Sequence, residues 1–350
     1  MQKLRIGIIG CGNISRTHIG QLLNVNEAEI VAICDVDETQ LKRVGDWVKV
    51  PEEYRFKDYK DLISCEKVDA VEICTPNFLH TKMALDVVAS GKPLNVEKPI
   101  DINHKAALPL VEALKENPVN NMMCFSYRFR PSVRFAKHLM EQNLIGEIIN
   151  VNVEYLKDSA FYPGRRLEWR FVKELAGTGV LGDLGVHLVD MATFLIDDIT
   201  EVCGNIGIVV KERKKLDSEE IAPVETDDYS TFMAKFKNGA YGTFNITRAA
   251  IGHGNTIKFD IFGTNGVISF NLNKPDILNV CIGELDIECK NMRELKVPAN
   301  YRLEQEQAFV NSCLGKPDKY HPDITDGIRC QKILDAVLES SETKTWVEIK

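Results

Sequence analysis

The segment that most constrains the fold is RIGIIGCGNIS near the start of the chain, where an apolar run meets a glycine-rich turn. The run from Leu4 has the composition of a buried strand, and Gly10 and Gly12 permit a tight turn directly after it. Such a turn lets the backbone N–H groups of the next helix approach a pyrophosphate. Ser15 stands at the third fingerprint position, where glycine or alanine is usual. The strand–turn–helix context still predicts a dinucleotide site.

The rest of the chain divides into two patterns. Up to residue 125, short β-rich runs such as EIVAIC, DAVEIC and PLNVEK alternate with helical stretches, which predicts a Rossmann-type doubly wound α/β domain with a parallel sheet. Beyond it, runs such as YSTFMAKF and GAYGTFNIT are joined by Asn-Gly turns. We therefore expect residues 126–350 to form an α+β domain with an open, largely antiparallel sheet. Whether its C-terminal helix and strand pack back toward the first domain stays open.

Composition limits the partners. The chain has 43 basic and 51 acidic residues, a net charge of −8, which disfavours nucleic acid and anionic membrane surfaces. No apolar run approaches the ~18 residues of a membrane-spanning helix. The ten cysteines occur singly, with no CxxC pair, so we expect reduced thiols, no metal site and a cytoplasmic location.

Asp35 ends the second predicted strand, about twenty residues beyond the glycine turn. A carboxylate there accepts hydrogen bonds from the adenosine ribose hydroxyls. The alternative is a helix N-cap. Val36 and Asp37 follow in place of an arginine, so a 2′-phosphate would meet negative charge, and the predicted cofactor is NAD.

Two further strand ends carry polar groups, and ligands of open α/β sheets lie beyond the carboxyl ends of the strands. Thr75-Pro76-Asn77 and His80 follow one strand and suit a nicotinamide edge, although turn and helix-cap residues need no such role. Glu97-Lys98-Pro99 follows another. The positive charge of an oxidised nicotinamide would disfavour a protonated lysine beside it and suit Lys98 to proton transfer, whereas a surface lysine is the ordinary alternative.

The stretch GDLGVHLVD places Asp183 and His187 four residues apart in a helix that otherwise looks buried. They form a stripe separate from the apolar face. A solvated face or a buried histidine held by a carboxylate would explain the stripe equally well. Asp190, three residues beyond His187, is assigned to structure.

Taken together, GIIGCGNI, CTPNFLH, EKP, YRFRP and GDLGVHLVD, in this order and spacing, resemble the Gfo/Idh/MocA family, named for glucose-fructose oxidoreductase and inositol dehydrogenase. The resemblance covers essentially the whole chain. It implies a Rossmann domain followed by an α/β domain whose open sheet mediates a homodimer or homotetramer. It also implies catalysis by Lys98, Asp183 and His187. We further expect a cis peptide bond between Lys98 and Pro99.

The expected site has two sets of residues. The cofactor-binding set is Gly10, Gly12, Asn13, Ile14, Asp35, Thr75, Pro76, Asn77, His80, Glu97 and Lys98. The substrate-binding set is Lys98, Tyr127, Arg128, Trp169, Arg170, Asp183 and His187. Trp169 suits stacking on a sugar face, but packing in the domain core explains it as well.

The predicted function is an NAD-dependent dehydrogenase that moves a hydride between a secondary hydroxyl of a sugar or cyclitol and the nicotinamide. His187 is assigned as the base and Lys98 as the group that stabilises the developing alkoxide; the sequence alone permits the exchange of these two roles. Asp183 would grip a neighbouring hydroxyl. Three alternatives stay open: a glycosidase that uses transient oxidation, a keto-sugar reductase, and a non-enzymatic NAD-binding regulator.

Overall fold

The computed structural model describes residues 3–162 and 164–349. The chain divides into two compact units. Unit 1 comprises residues 1–126 and 303–329, and unit 2 comprises residues 127–302 and 330–350. A segment from late in the sequence therefore belongs to the unit that contains the N-terminus.

Unit 1 is built on a six-stranded sheet in the order β3-β2-β1-β4-β5-β6, with every neighbouring pair parallel. Its strands are β1 (Leu4–Ile9), β2 (Ala28–Cys34), β3 (Arg55–Phe56), β4 (Ala70–Ile73), β5 (Leu94–Val96) and β6 (Asn121–Met123). The helices between the strands are α1 (Asn13–Leu22), α2 (Glu38–Val48), α3 (Tyr59–Ser64), α4 (His80–Ala89) and α5 (His104–Glu116). Reversal of strand order on either side of β1 makes the sheet doubly wound, as predicted.

Apolar side chains of β1, α1 and β2 form a buried cluster that Val310 joins from the later segment of unit 1. Local signals delimit the helices: Asp37 caps α2 by accepting from Thr39 N–H at 2.8 Å, and Asn103 caps α5 by accepting from Ala106 N–H at 3.0 Å. Because the strands are parallel, the carboxyl ends of β1, β2, β4 and β5 lie at one edge of the sheet.

Unit 2 contains a nine-stranded sheet in the order β16-β15-β14-β13-β7-β12-β11-β8-β17. The β7–β12 pair is parallel and the remaining pairs are antiparallel, so the prediction of a largely antiparallel sheet is confirmed. Its strands are β7 (Ile148–Lys157), β8 (Ile199–Gly207), β11 (Tyr229–Phe236), β12 (Tyr241–Thr247), β13 (Asn255–Gly263), β14 (Gly266–Asn271), β15 (Ile277–Ile282), β16 (Arg293–Lys296) and β17 (Val347–Glu348). A separate hairpin pairs β9 (Glu212–Lys214) with β10 (Ile221–Pro223).

The remaining helices are α6 (Pro131–Glu141), α7 (Lys173–Ala176), α8 (Val186–Leu195), α9 (Glu284–Glu288), α10 (Gln305–Cys313) and α11 (Ile324–Thr343). A π-helical turn, Leu181–Gly185, directly precedes α8. Strands β11 and β12 alternate buried and exposed residues, which leaves one face of the central sheet of unit 2 open. Among the described helices, none has both the length and the apolar character that crossing a bilayer requires.

Candidate active site

The turn after β1 has the geometry of a pyrophosphate cradle. Gly10 has φ +96°, and a Cβ there would lie 2.6 Å from the carbonyl oxygen of Cys74, so only glycine fits. A Cβ on Gly12 would meet nothing within 4 Å, and Asn13 and Ile14 at the start of α1 are exposed. Open space beside the positive end of a helix suits the pyrophosphate of NAD.

Asp35 is tied to this turn. Its carboxylate accepts from Cys11 N–H at 2.6 Å and from Asp37 N–H at 2.8 Å. The N-cap of α2 is Asp37, which removes the alternative explanation of Asp35 as a helix cap. Arg43, which the sequence did not single out, donates from α2 to the carbonyl of Cys11 at 3.3 Å. The glycine turn therefore has a carboxylate and a guanidinium beside it, both in contact with the backbone of Cys11.

His80 joins two strand-end turns. Its Nδ1 lies 2.7 Å from the carbonyl oxygen of Pro99, and its Nε2 lies 2.8 Å from that of Thr75. Burial lowers the pKa of His80, although the two carbonyls favour the charged ring. The imidazole is buried together with Asn77, while Thr75 and Pro76 are partly exposed. His80 thus fixes the Thr75 turn against the turn that follows β5.

That second turn carries Lys98, which is partly exposed. The Glu97 carboxylate accepts from the backbone N–H of Lys98 at 3.0 Å, and its other oxygen lies 2.9 Å from Nε2 of His18. The Lys98–Pro99 peptide bond is cis, as predicted. Glu97 is buried, and its carboxylate links the backbone of Lys98 to the imidazole of His18.

In unit 2 the helix with the predicted acid and histidine differs from a regular α-helix. Asp183 lies in the π-helical turn and His187 is the second residue of α8. Both oxygens of buried Asp227 accept from the backbone here, from Gly179 N–H at 2.5 Å and from Leu181 N–H at 2.8 Å. Burial raises the pKa of Asp227, although these backbone bonds act against the rise. Single π-turns inside helices occur frequently at functional sites.

The ring of Tyr127 lies against His187, and Tyr155 contacts Tyr127 in turn. The Tyr127 ring centroid lies 4.5 Å from that of His187, at an interplanar angle of 50°. Tyr127 and Tyr155 hydroxyl oxygens are 3.0 Å apart. Burial, Tyr127 and the charge of Asp183 raise the pKa of Tyr155 above its usual value. Unit 2 therefore brings an imidazole, a carboxylate and two phenols together, and Asp183 is partly exposed within this otherwise buried turn.

Arg128, Trp169 and Arg170, which were predicted to bind substrate, contact other protein side chains in this structure. Arg128 is buried and forms an ion pair with Asp190, with its Nη2 2.5 Å from Oδ1. Arg170 lies over the Trp169 ring at 4.4 Å, and both residues are partly exposed in the loop that precedes α7. The assignment of Asp190 to structure agrees with its place in this pair.

The predicted residues form two groups. Unit 1 gathers the glycine turn, Asp35, the Thr75 and Lys98 turns and His80, while unit 2 gathers Tyr127, Asp183 and His187. Sequence reasoning missed His18, Arg43, Tyr155 and Asp227. Glu72 could have pointed to His18. The predicted strand DAVEIC places this glutamate within an apolar run, and a buried carboxylate needs a partner such as a histidine.

A glycine turn that fits a pyrophosphate, with a carboxylate at the end of the next strand, is the pattern of dinucleotide-binding domains. The family description "Oxidoreductase family, NAD-binding Rossmann fold" matches residues 4–125, and "GFO/IDH/MocA C-terminal domain" matches residues 133–269. The chain belongs to the Gfo/Idh/MocA oxidoreductase family. It is an NAD-dependent oxidoreductase that acts on CH–OH groups, so the predictions of family, fold class, enzyme class and cofactor are confirmed.

Several relatives align over nearly the full chain. Levoglucosan dehydrogenase of Pseudarthrobacter phenanthrenivorans is 28% identical, with 100% of this chain and 99% of that protein covered. Glucose-6-phosphate 3-dehydrogenase of Bacillus subtilis is 26% identical, over 96% and 95% of the two chains. A solved structure of levoglucosan dehydrogenase in complex with NADH and L-sorbose has a TM-score of 0.91 at 27% identity and covers 100% of both chains.

Proposed function

We propose that the protein oxidises a secondary hydroxyl of a sugar or cyclitol ring with NAD. The observation that carries the proposal is the grouping of His187, Asp183 and two tyrosines around the π-turn of unit 2. Groups of this kind recognise vicinal hydroxyls, and imidazole titrates near neutral pH. The names of the relatives, which act on levoglucosan and glucose 6-phosphate, support a sugar substrate.

In the proposed reaction His187 accepts the hydroxyl proton of the substrate. Lys98 donates a hydrogen bond to the same oxygen and stabilises negative charge as it develops there. Asp183 binds a neighbouring hydroxyl and orients the ring. Tyr127 packs on His187 and limits the orientations of the imidazole.

NAD, when bound, supplies the hydride acceptor, so the carbon loses a hydride and the oxygen loses a proton. Asn13, Ile14, Asp35 and the Thr75 turn are the residues that would hold it. His187 retains the proton and then releases it to solvent, which balances the two-electron oxidation of alcohol to ketone.

A substrate panel tests the proposal. Purified protein with NAD is offered levoglucosan, glucose 6-phosphate, D-glucose, L-sorbose and myo-inositol, and NADH absorbance is followed. We expect one class of ring to give sustained NADH formation. Glycoside cleavage without net NADH would identify the glycosidase alternative, and turnover only of keto-sugars with NADH would identify a reductase. NAD binding without oxidation, reduction or glycoside cleavage would identify the protein as a non-enzymatic NAD-binding regulator.

A substitution tests the assignment of the base. His187→Ala is expected to bind NAD with near-normal affinity while kcat falls by roughly 10²–10⁴. If His187 serves only structure, stability falls by about 1–3 kcal/mol and activity follows the folded fraction. A stable variant that binds NAD and keeps more than about a tenth of wild-type kcat, a loss too small for a general base, would remove His187 from the mechanism.

The proposal extends to assembly and location. The open face of the sheet in unit 2 exposes Met233 and Tyr241 beside polar neighbours, and such a face suits a homodimer or homotetramer. Light scattering after size exclusion should give two or four protomers, and Met233→Glu should lower that number. We place the enzyme in the cytoplasm, and cell fractionation tests this.

A further inference from the structure

Unit 1 contains a buried cluster of four ionisable side chains beneath the turn that carries Lys98. It consists of His18 from α1, Glu72 from β4, Glu97 after β5 and Glu306 from α10, exposed by 3%, 0%, 7% and 0% respectively. Glu306 belongs to the late segment of the chain that folds into unit 1. Buried charges are costly unless paired, so this cluster needs an explanation beyond packing.

His18 is the centre of the cluster. Its Nε2 lies 2.9 Å from Oε1 of Glu97, and its Nδ1 lies 2.8 Å from Oε1 of Glu306 and 3.3 Å from Oε2 of Glu72. Amide groups complete the surroundings of Glu306: Gln305 donates to it at 2.9 Å and Asn95 at 3.3 Å. Both nitrogens of one imidazole are thus in contact with carboxylate oxygens.

The charges of the cluster follow from these contacts. Burial opposes a charged ring, but interactions with Cys74, then with Glu306 and Cys124, raise the pKa of His18 well above its usual value. The pKa of Glu306 is lowered to about 2 against the effect of burial, and that of Glu97 is lowered likewise, chiefly because of His18. Burial and the neighbouring Glu306 raise the pKa of Glu72. Burial also raises the pKa of the Cys74 and Cys124 thiols well above the usual value. These shifts favour an imidazolium at His18 between charged Glu97 and Glu306, beside a neutral Glu72.

Glu97 connects this cluster to the reaction. One of its oxygens contacts His18, while the other accepts from the backbone N–H of Lys98 at 3.0 Å. Glu97 directly follows the buried strand β5, and its single carboxylate makes both contacts. The orientation of the Lys98 turn therefore depends on where His18 holds the carboxylate.

We propose that His18 and Glu306 are positioning residues that act through Glu97 to fix the turn of Lys98, so that the lysine amine meets the reacting oxygen in one orientation. This inference rests on the proposed function, because it takes Lys98 as a catalytic residue. A misplacement of about 1 Å in a catalytic group is enough to cost roughly 10²-fold in rate. A buried cluster in the first unit thereby contributes to kcat without contacting the substrate.

The test uses His18→Gln and Glu306→Gln, which keep polar groups but remove one charge each. Assayed on the best substrate of the panel, each variant should lower kcat by roughly 10- to 100-fold while the Kd for NAD changes less than about threefold. Glu306→Asp should restore part of the lost rate. Asp69→Asn is the matched control, since it removes a partly buried ion pair with Arg5 at the opposite edge of the same sheet. It should cost stability but leave kcat per folded molecule unchanged.

A double-mutant cycle separates positioning from a general loss of structure. In a Lys98→Ala background, His18→Gln should cause little further loss of kcat, because its effect travels through the lysine. An undiminished loss in that background would overturn the inference. If Lys98→Ala itself keeps near wild-type kcat, the catalytic role of Lys98 fails instead. If Lys98→Ala is inactive while His18→Gln retains full kcat, the positioning inference alone fails.

A readout without substrate covers the case in which the panel yields no turnover. Reductive ¹³C-methylation gives each lysine an NMR signal, and loss of a signal in Lys98→Ala assigns that of Lys98. With NAD bound, the Lys98 signal should shift and its titration should change in His18→Gln but not in Asp69→Asn. An unchanged signal would contradict the inference, and so would a stoichiometric metal ion in the purified protein, which would make His18 a ligand instead of an imidazolium.

Discussion

At the scale of single residues, we expect Asp35 to set the preference between NAD and NADP. Its carboxylate bonds to Cys11 N–H, and Arg43 donates to the carbonyl of the same residue. Both charges therefore lie at one turn. A 2′-phosphate would be repelled by the first charge and attracted by the second.

The first prediction follows from this pair. Wild-type efficiency with NAD should exceed that with NADP by at least about tenfold, which corresponds to ~1.4 kcal/mol. Asp35→Ala should narrow the ratio of kcat/KM values, because Arg43 is then the nearer charge to the phosphate. In the double variant Asp35→Ala, Arg43→Ala, the preference for NAD over NADP should increase again. Equal efficiency of the wild-type enzyme with both cofactors would contradict the assignment of Asp35.

A second residue, Glu72, gives a pH dependence of stability. Burial, followed by the charge and hydrogen bond of Glu306, raises its pKa in the folded state. The folded protein then binds a proton more tightly than the unfolded chain. The tighter proton binding stabilises the folded protein at low pH. This contribution is lost as pH rises from the ordinary carboxyl pKa, near 4.5, toward the raised pKa of Glu72.

Glu72→Gln should copy the protonated side chain at every pH. The stability of this variant minus that of the wild type should therefore increase with pH, by up to about 1.4 kcal/mol per pH unit. Urea unfolding between about pH 4 and about pH 9 measures this difference in the free energy of unfolding. Asp69→Asn supplies a control of opposite sign: the hydrogen bond from Arg5 lowers the pKa of Asp69, so its loss should matter at neutral pH and disappear in acid. A flat difference for Glu72→Gln would refute the raised pKa.

At the scale of elements, the π-turn before α8 sets the position of Asp183. The turn depends on Asp227, whose two oxygens bind the backbone N–H groups of Gly179 and Leu181. A Cβ on Gly179 would lie 2.0 Å from the Asp227 carbonyl oxygen, so the two backbones approach closely here. A carboxylate distant in sequence thus holds the start of this helical segment.

Asp227→Asn should therefore affect both stability and catalysis. An amide replaces one acceptor with a donor that faces a backbone N–H, which should cost about 1–3 kcal/mol. The shift of the turn should also lower kcat/KM by roughly tenfold or more, measured per folded molecule. Asp58→Ala is the control, because Asp58 caps α3 by accepting from Lys60 N–H at 2.9 Å. It should lose about 1 kcal/mol and keep its activity; equal catalytic effects in both variants would argue against a specific role of the π-turn.

At the scale of the whole molecule, unit 1 is discontinuous in sequence. Residues 303–329 belong to it, and they carry Glu306 into the charged cluster and Val310 into the apolar core. The folding of the cofactor-binding unit therefore needs a segment that lies late in the chain. If the packing of that segment is weakened, β1 and β2 should become less stable.

Val310→Ala should destabilise unit 1 by about 2 kcal/mol, through lost burial and the cavity left behind. Hydrogen exchange followed by mass spectrometry should then show faster exchange in β1, α1 and β2. Val202→Ala, at a fully buried position of β8, is the matched substitution in unit 2 and should loosen that sheet instead. Faster exchange confined to unit 2 in the Val310 variant would contradict the division into units.

The sequence by itself determined the local features. The period of apolar residues and the glycine turn specify the alternation of strands and helices and the position of Gly10, because these depend on groups close together in the chain. The cis bond at Pro99 was expected from the resemblance to the family together with the tolerance of X-Pro bonds for cis. The pattern of alternating strands likewise indicated an antiparallel sheet in unit 2.

Only the tertiary structure decided which distant groups meet. Glu306 pairs with His18, Asp227 caps the π-turn and Tyr155 reaches Tyr127, and each pair joins segments that no local pattern relates. The first part of the regular helix expected at GDLGVHLVD is a π-turn that ends at Gly185, where tertiary hydrogen bonds and close backbone packing outweigh the local preference for 3.6 residues per turn. A buried charge acquires its partner, and therefore its protonation state, only when the chain has folded around it.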